Sequence, residues 1–270
     1  MNTEMNADSL FNRNLKRHRL DDPTTASETW CTWILEFQTR LLTKLSDKLP
    51  ALAGLTNYYH DSTGDEPLVG LWRRNIFSQL LWRYEKYSMD DPKDYKRRHD
   101  IPSWSWGSID APPSRLTPGM TVDNLEDSAV GESYEGVPFP QLISSDIAWS
   151  GPPLSSSILR ARLLVRGHVV PRVVQRWQLV PTEEHRVSHP ATENYIHLKM
   201  NHKFDLAEPT DGSEFLCFHV PTGYHAYSMF LILELVENTQ DEYRRVGIAF
   251  GNRLNPNSLL IAKERIMYVL

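Results

Sequence analysis

The stretch Ile101–Pro113, IPSWSWGSIDAPP, sets the expectation for the first half of the chain. In it Trp104 and Trp106 alternate with Ser103 and Ser105, and a spacing of two places both indoles on one face of an extended segment. Large rings bury much apolar area per residue at low entropic cost. We therefore expect this stretch to contribute two tryptophans to a core.

The residues before this stretch follow helical spacing. Apolar residues recur at three- and four-residue steps over 30–45, 46–55 and 72–84, which predicts three amphipathic helices. Pro50 lies early in the second, where its missing N–H costs little. Residues 90–100 carry charges of both signs, which indicates a loop.

Beyond residue 158 the period changes to two. Ala161, Leu163 and Val165 alternate with Arg162 and Arg166, which predicts a half-buried strand. Four later segments show the same character: 215–220, 229–236, 245–250 and 265–270. The expected fold class is α+β, with a Trp-rich helical N-terminal part followed by an antiparallel β-sandwich or barrel-like C-terminal part.

These patterns divide the chain into four parts. Residues 1–28 are polar and predict a disordered tail, 29–113 form the Trp-rich helical region, and 158–270 form the antiparallel β domain. Residues 114–157 are an acidic linker rich in Pro, Gly and Ser, since 116–159 hold six acids and no Lys or Arg. We expect proteolysis to cut this linker first, between Gly119 and Gly136, while residues 139–147 lie against the folded body.

Composition excludes several classes of protein. The 270 residues allow one large or two small domains. The net charge of −5 is too small to indicate a class of binding partner. The two cysteines, Cys31 and Cys217, cannot build a disulfide framework or a four-ligand zinc site. The longest apolar run is five residues and the N-terminus lacks an apolar signal segment. We expect a cytoplasmic protein with no membrane contact.

Sequence signatures of catalysis are absent. The chain has no dinucleotide, phosphate or zincin loop, and its nearest approach to a nucleophile elbow, residues 131–136, is one residue too long. His185 and His189 have the spacing of metal ligands on a helix, but Pro181 and Pro190 bracket them and favour a solvated loop. We expect no catalytic residue, no metal and no cofactor.

Two constellations suggest binding. Residues 158–177 carry five arginines and no acid, so Arg160, Arg162 and Arg166 are candidate anion-binding residues, although strand alternation also explains them as a solvated face. Nucleic acid is not the favoured partner. Trp104 and Trp106 could form a cage for a quaternary ammonium, but rings at regular spacing more often belong to a core.

An ordered series of phrases resembles a known family. TWCTWILEFQTRLLTKLSDKLPALAGL at 29–55, LVGLWRRNIFSQLLW at 68–82 and IPSWSWGSIDAP at 101–112 resemble the region that follows the signature domain in fungal heterokaryon incompatibility (HET) proteins. LILELVENTQDEYRRVGIAF, at 231–250, resembles that family's closing strand. The family-motif positions that we expect to be structural are Trp72, Trp82, Pro102, Ser103, Trp104, Trp106 and Asp110.

The resemblance implies a role without enzymatic activity. The family's N-terminal signature phrases, which belong to the presumed cell-death effector, do not occur in this sequence. We therefore expect a truncated paralogue or a gene that continues upstream of Met1. The implied function is regulation or recognition in fungal non-self recognition and cell death, through a protein partner.

Two other functions remain open. One is an enzyme whose site gathers dispersed histidines and a carboxylate in the β domain, which holds seven histidines from His168 to His225. The other is an anion or nucleic-acid binder that uses the strand from Arg160 to Arg176. A pocket with two of those histidines and a carboxylate favours the enzyme, whereas a continuous arginine-lined groove favours the binder.

Overall fold

A computed structural model describes most of the chain. It covers residues 20, 22–38, 40, 42–84, 95–111, 116–117, 139–176, 178–182, 201–206, 209–221, 227–252 and 262–270. Within these residues a few short helices accompany one large sheet, so the mixed α+β class is confirmed. The predicted cut region 119–136 lies outside the described residues, as do His185, His189 and His197.

The first predicted helix exists but begins earlier than expected. Helix α1 spans Pro23–Gln38, and Trp30, Trp33, Ile34 and Phe37 form its buried stripe. Asp22 caps its start, because its carboxylate accepts a hydrogen bond from the backbone N–H of Thr25 at 2.7 Å. The predicted polar tail over 1–28 is therefore wrong from residue 22 onward.

The second predicted helix is displaced toward the C-terminus. Two 3₁₀ turns, Leu45–Asp47 and Pro50–Leu52, lead into helix α2, Ala53–Thr63. Gly64 ends α2 with a φ of 67°, a left-handed conformation that suits glycine at a helix C-terminus.

The third predicted helix, over 72–84, is wrong for most of its length. Helix α3 is only Ile76–Gln79, and short strand pairs surround it. The Gln79 side chain accepts a hydrogen bond from the Trp72 backbone N–H at 3.0 Å, which connects α3 to the segment before it. Six short strands belong to this part of the chain: β1 Pro67–Leu68, β2 Leu71–Trp72, β3 Arg83–Tyr84, β4 Lys96–Arg97, β5 Ile109–Asp110 and β6 Leu116–Thr117.

The tryptophan stretch is not extended. Residues 103–105 turn, and Trp106–Ser108 form a 3₁₀ helix before β5. The expected extended conformation is therefore wrong, although both indoles are buried and residues 101–109 are all buried with them. Ser103, Ser105 and Trp106 find hydrogen-bond partners within the protein, which allows this polar segment to be buried.

Eight described strands form one mixed sheet. Its order is β10-β13-β12-β11-β8-β14, with β7 and β9 also paired to β8. All pairs are antiparallel except β13 with β14, and that parallel pair closes β8, β11, β12, β13 and β14 into a ring. The strands are β7 Gln141–Trp149, β8 Ile158–Gln175, β9 Gln178–Pro181, β10 Asn201–Phe204, β11 Glu214–Val220, β12 Tyr227–Leu235, β13 Glu242–Asn252 and β14 Lys263–Val269.

Strand β7 lies inside the range predicted to be a linker. It pairs with β8 from Gln141 opposite Arg166 to Trp149 opposite Ile158. The linker interpretation is therefore wrong for 141–149, because the apolar residues of this segment are enough to add a strand to the sheet.

The Trp-rich region and the sheet share one core. A single cluster of buried side chains runs from Trp33 and Trp72 to Leu163 and Met267. Phe77, within α3, stacks on Phe218 of β11 with ring centroids 6.0 Å apart. The two parts therefore fold against each other.

Candidate functional site

A fully buried arginine joins the two parts of the protein. Arg245, on β13, is 0 % exposed and donates hydrogen bonds to the backbone carbonyls of Leu80 and Trp82. Its guanidinium carbon lies 3.5 Å from the centroid of the Trp82 ring. Its third partner is the Asp205 carboxylate, at 2.5 Å. A single side chain thus connects β13 to the 80–82 segment and to the residue that follows β10.

A β-bulge aims this arginine into the core. Ile232 pairs with Gly247, but Leu233 pairs with Arg245, so Val246 is an extra residue on β13. In regular register Arg245 would lie opposite Glu234, on the other face of the sheet. The bulge therefore moves Arg245 to the face that packs on the tryptophans and leaves Arg244 opposite Glu234.

Asp205 is shared by two arginines. Arg97 Nη2 lies 3.2 Å from the same Asp205 oxygen, and the Asp205 side chain is 2 % exposed. Burial lowers the pKa of Arg245 and of Arg97, and the Asp205 carboxylate opposes that shift in both cases. Removal of Asp205 would leave two guanidinium groups without their buried counter-charge, whereas removal of either arginine leaves Asp205 with one partner.

Residues 103–106 make further hydrogen bonds where the Trp-rich region contacts the sheet. Ser103 donates from its backbone N–H to the Leu270 carbonyl at 2.9 Å and accepts at Oγ from the Arg245 N–H at 2.8 Å. Ser105 Oγ donates to the Val69 carbonyl at 2.7 Å. Trp106 Nε1 donates to the Gly70 carbonyl at 3.0 Å. Both serines therefore make their hydrogen bonds inside the protein.

The family-motif residues occupy mostly buried positions. Trp72, Trp82, Pro102, Ser103, Trp104 and Trp106 are buried. Trp82 Nε1 donates to the Trp104 carbonyl at 2.7 Å. Asp110 differs, because it lies exposed on β5 and pairs through its backbone with Lys96.

A buried lysine lies beside the tryptophan phrase and was not identified from the sequence. Lys48 is 1 % exposed, and its Nζ donates to the Ile109 carbonyl at 2.6 Å and to the Tyr84 hydroxyl at 3.0 Å. Burial lowers the pKa of Lys48 to about 7, although nearby Asp110 opposes the shift. The DKLPAL phrase contains this residue, but a lysine there gives no signal of burial.

The three candidate anion-binding arginines of β8 do not form one site. Arg160 and Arg162 both contact the Asp146 carboxylate of β7, at 2.7 and 3.1 Å. Arg162 also stacks over the Tyr268 ring at 4.9 Å. The Arg166 side chain makes no hydrogen bond or ion pair with the described residues, although its backbone pairs with Gln141 and Ile266. Two of the three charges are therefore engaged with an acid from the segment that we predicted to be a linker.

Basic residues do converge elsewhere, at the meeting of β4 with the sheet. Two adjoining hollows of about 320 and 700 Å³ share Arg97, His99 and Arg244. Arg98 and Arg160 line the smaller hollow, which also reaches Leu270. The larger one, which we call the basic hollow, has Lys96 at its edge and the following apolar residues in its wall: Phe204, Leu206, Pro209, Phe215 and Val246.

The described histidines do not assemble a metal centre. His219 is 3 % exposed, and burial, with a smaller contribution from His168, lowers its pKa to about 4. Its ring packs on Phe230 with centroids 5.3 Å apart. Among the described residues, no group of three or more His, Cys, Asp or Glu side chains could hold a metal ion.

Comparison with known proteins adds no relative. The chain matches no family model, no curated protein and no solved structure. Within the described ranges, no helix combines the length and apolar character that a membrane crossing requires.

Proposed function

We propose that this chain is a non-enzymatic regulatory or recognition module, equivalent to the region downstream of the signature domain in HET proteins. The observation that supports this is the place of the shared phrase residues. Trp82, Ser103, Trp104 and Arg245 belong to one buried network of hydrogen bonds and ring contacts. The phrases that resemble the family therefore maintain a scaffold, and a scaffold of this kind suits recognition.

The proposed module includes both the Trp-rich region and the sheet. The two parts are proposed to act together because Arg245 of β13 donates a hydrogen bond to the Trp82 carbonyl of the Trp-rich region. The module works in the cytoplasm with a protein partner, which agrees with the two free thiols, Cys31 and Cys217. In this role the module changes the frequency of cell death, and a separate effector protein carries out the killing.

Co-expression tests the regulatory role. The full chain is expressed in a filamentous fungus, alone and together with a HET signature-domain protein, and viable cells are counted. We expect no killing by the chain alone and a changed frequency of death when both are present. Arg74→Gln, at an exposed position, should retain the effect, and Trp104→Ala should lose it. Killing by the chain alone, or no change in the pair, would contradict the proposal.

A biochemical assay tests the absence of enzymatic activity. The purified chain is incubated with NAD, and the remaining NAD is measured over time. We expect no consumption above a heat-treated sample. NAD turnover that one point substitution abolishes without unfolding the protein would overturn the non-enzymatic role.

A further inference from the structure

We propose that the basic hollow binds a small amphiphilic anion, an apolar body that carries one phosphate or carboxylate group. The inference does not rest on the proposed recognition role. Its basis is a cationic edge and an apolar wall that meet in one hollow of about 700 Å³. This volume lies within the range of about 300 to 1,000 Å³ that holds small ligands in proteins.

The cationic edge comes from two separate parts of the fold. Lys96 and Arg97 belong to β4 of the Trp-rich region, and Arg244 belongs to β13 of the sheet. His99 also lines the hollow, and Glu234 is the one carboxylate among the described lining residues. Three cations against one carboxylate leave a net positive charge of two, which attracts an anion.

The cations differ in how firmly they are held. Arg97 is fixed, because Asp205 and the Ser103 carbonyl accept from its guanidinium at 3.2 and 3.3 Å. Arg244 is half-exposed and lies 3.7 Å from Glu234, too far for a hydrogen bond. Lys96 is exposed and makes no ion pair with the described residues. Lys96, and Arg244 in exchange for its long contact with Glu234, can therefore turn toward an incoming phosphate or carboxylate.

The wall of the hollow selects the rest of the ligand. The Phe204 and Phe215 rings pack 5.4 Å apart, and Val246 continues the apolar surface on the bulge of β13. Such a wall gives no hydrogen bonds to a bare inorganic ion, but it removes apolar surface of a ring or short chain from water. An anion with an attached apolar body uses both features.

Glu234 gives the proposal its sharpest test. Its carboxylate competes with a bound anion for Arg244 and repels it directly. Replacing this residue with glutamine should raise the affinity for the anion. Partial unfolding of a variant would lower the affinity, so it cannot account for such an increase. Lys96→Gln and Arg244→Gln should weaken binding, since each removes a charge-assisted contact.

Isothermal titration of the full chain measures these effects with 1-naphthyl phosphate as the probe, and with 1-naphthol and inorganic phosphate as its two halves. We expect saturable binding of the probe, at least about tenfold tighter than either half. Lys96→Gln and Arg244→Gln should each weaken it about tenfold, Glu234→Gln should tighten it several-fold, and Arg74→Gln should leave it unchanged. Added salt should weaken it, because the contacts are ionic.

Each opposite result overturns the proposal. Equal binding of 1-naphthol and the probe would show an apolar hollow with no anion site. Equal affinity for phosphate and for the probe would show that the apolar wall contributes nothing to binding. No binding of the probe at millimolar concentration, or unchanged affinity in all three lining variants, would exclude the site altogether.

Discussion

The guanidinium of Arg245 lies 3.5 Å above the Trp82 ring, and both side chains are almost completely buried. A cation over an indole face gains electrostatic attraction, and the gain is larger when water is excluded. The pair also spans the junction between the Trp-rich region and the sheet. Stability of the whole chain should therefore depend on this contact.

Replacing Arg245 with methionine should destabilise the protein by about 3 to 5 kcal/mol. The side chain keeps much of its apolar stem, but the buried Asp205 carboxylate loses its closest partner. Denaturant unfolding measures the change. Arg74→Met, at an exposed position, serves as the control. Adding Asp205→Asn to Arg245→Met should not recover the loss, because Arg97 then loses its buried counter-charge. A single variant with wild-type stability would refute the role of this cluster.

Removing the Trp104 ring should cost about 3 to 5 kcal/mol of unfolding free energy. Trp104 is 0 % exposed, so Trp104→Ala leaves a cavity in the shared core. Trp104→Phe should cost less, since Trp104 Nε1 has no hydrogen-bond partner in the described residues. Leu159→Ala, at a 68 % exposed position, should change stability by less than about 0.5 kcal/mol. Folded Trp104→Ala protein with an unchanged melting temperature would show that the ring is not part of the core.

Two glycines should respond to alanine in opposite directions. A Cβ on Gly247 would lie 2.4 Å from the Lys203 backbone carbonyl, so Gly247→Ala should push β10 from β13 and cost about 1 to 3 kcal/mol. A Cβ on Gly54, near the start of α2, meets nothing within 4 Å. Gly54→Ala should therefore stabilise the protein by up to about 1 kcal/mol. Thermal unfolding of both variants measures the difference, and similar effects from the two would contradict it.

Lys48 should make the protein more stable as the pH rises from about 7 toward 10.5. In the unfolded chain the amine keeps its proton up to its ordinary pKa of 10.5, whereas burial lowers the pKa to about 7 in the folded state. The unfolded state binds more protons between these values, so the free energy of unfolding rises with pH in that window. The difference between wild type and Lys48→Met, measured by urea unfolding from pH 7 to 9.5, should show this rise. A difference that does not change with pH would refute it.

His219 should produce a similar dependence at acidic pH. Burial lowers its pKa from 6.5 to about 4, so the unfolded chain takes up a proton first as the pH falls. Stability should fall from pH 6.5 to 4 by about 3 kcal/mol, since 6.5 minus 4 is 2.5 units at about 1.4 kcal/mol each. Urea unfolding of His219→Gln should lack this part of the acid loss. His168→Gln is the matched control on the neighbouring strand, and an equal effect from both would contradict the assignment.

The spacing of apolar residues along the chain predicted helices and strands correctly where only one face of the segment packs on the core. The α1 stripe from Trp30 to Phe37 has this character, and so does the alternation around Leu163 on β8. The pattern failed over 76–82 and 101–109, where nearly every residue is buried. Full burial removes the contrast between a dry and a wet face on which periodicity depends.

The candidate sites were harder to predict because their parts are distant in sequence. Arg97 and Arg244, which share the basic hollow, are more than 140 positions apart. Residues 96–99 looked like part of a balanced charged loop, and the strand of β8 arginines looked like the better anion site. Asp146, brought beside Arg160 by β7, reverses that preference.

The sequence by itself determined the α+β class, the tryptophan-rich composition of the first half and the sheet residues with period two, because these depend on spacing along the chain. Tertiary structure alone decided the direction of Arg245, since one extra residue in β13, Val246, moves that side chain from one sheet face to the other. It also decided that Lys48 and Asp205 are buried, because nothing in a charged residue's neighbours along the chain reveals the partner carbonyl or guanidinium that compensates for its lost hydration.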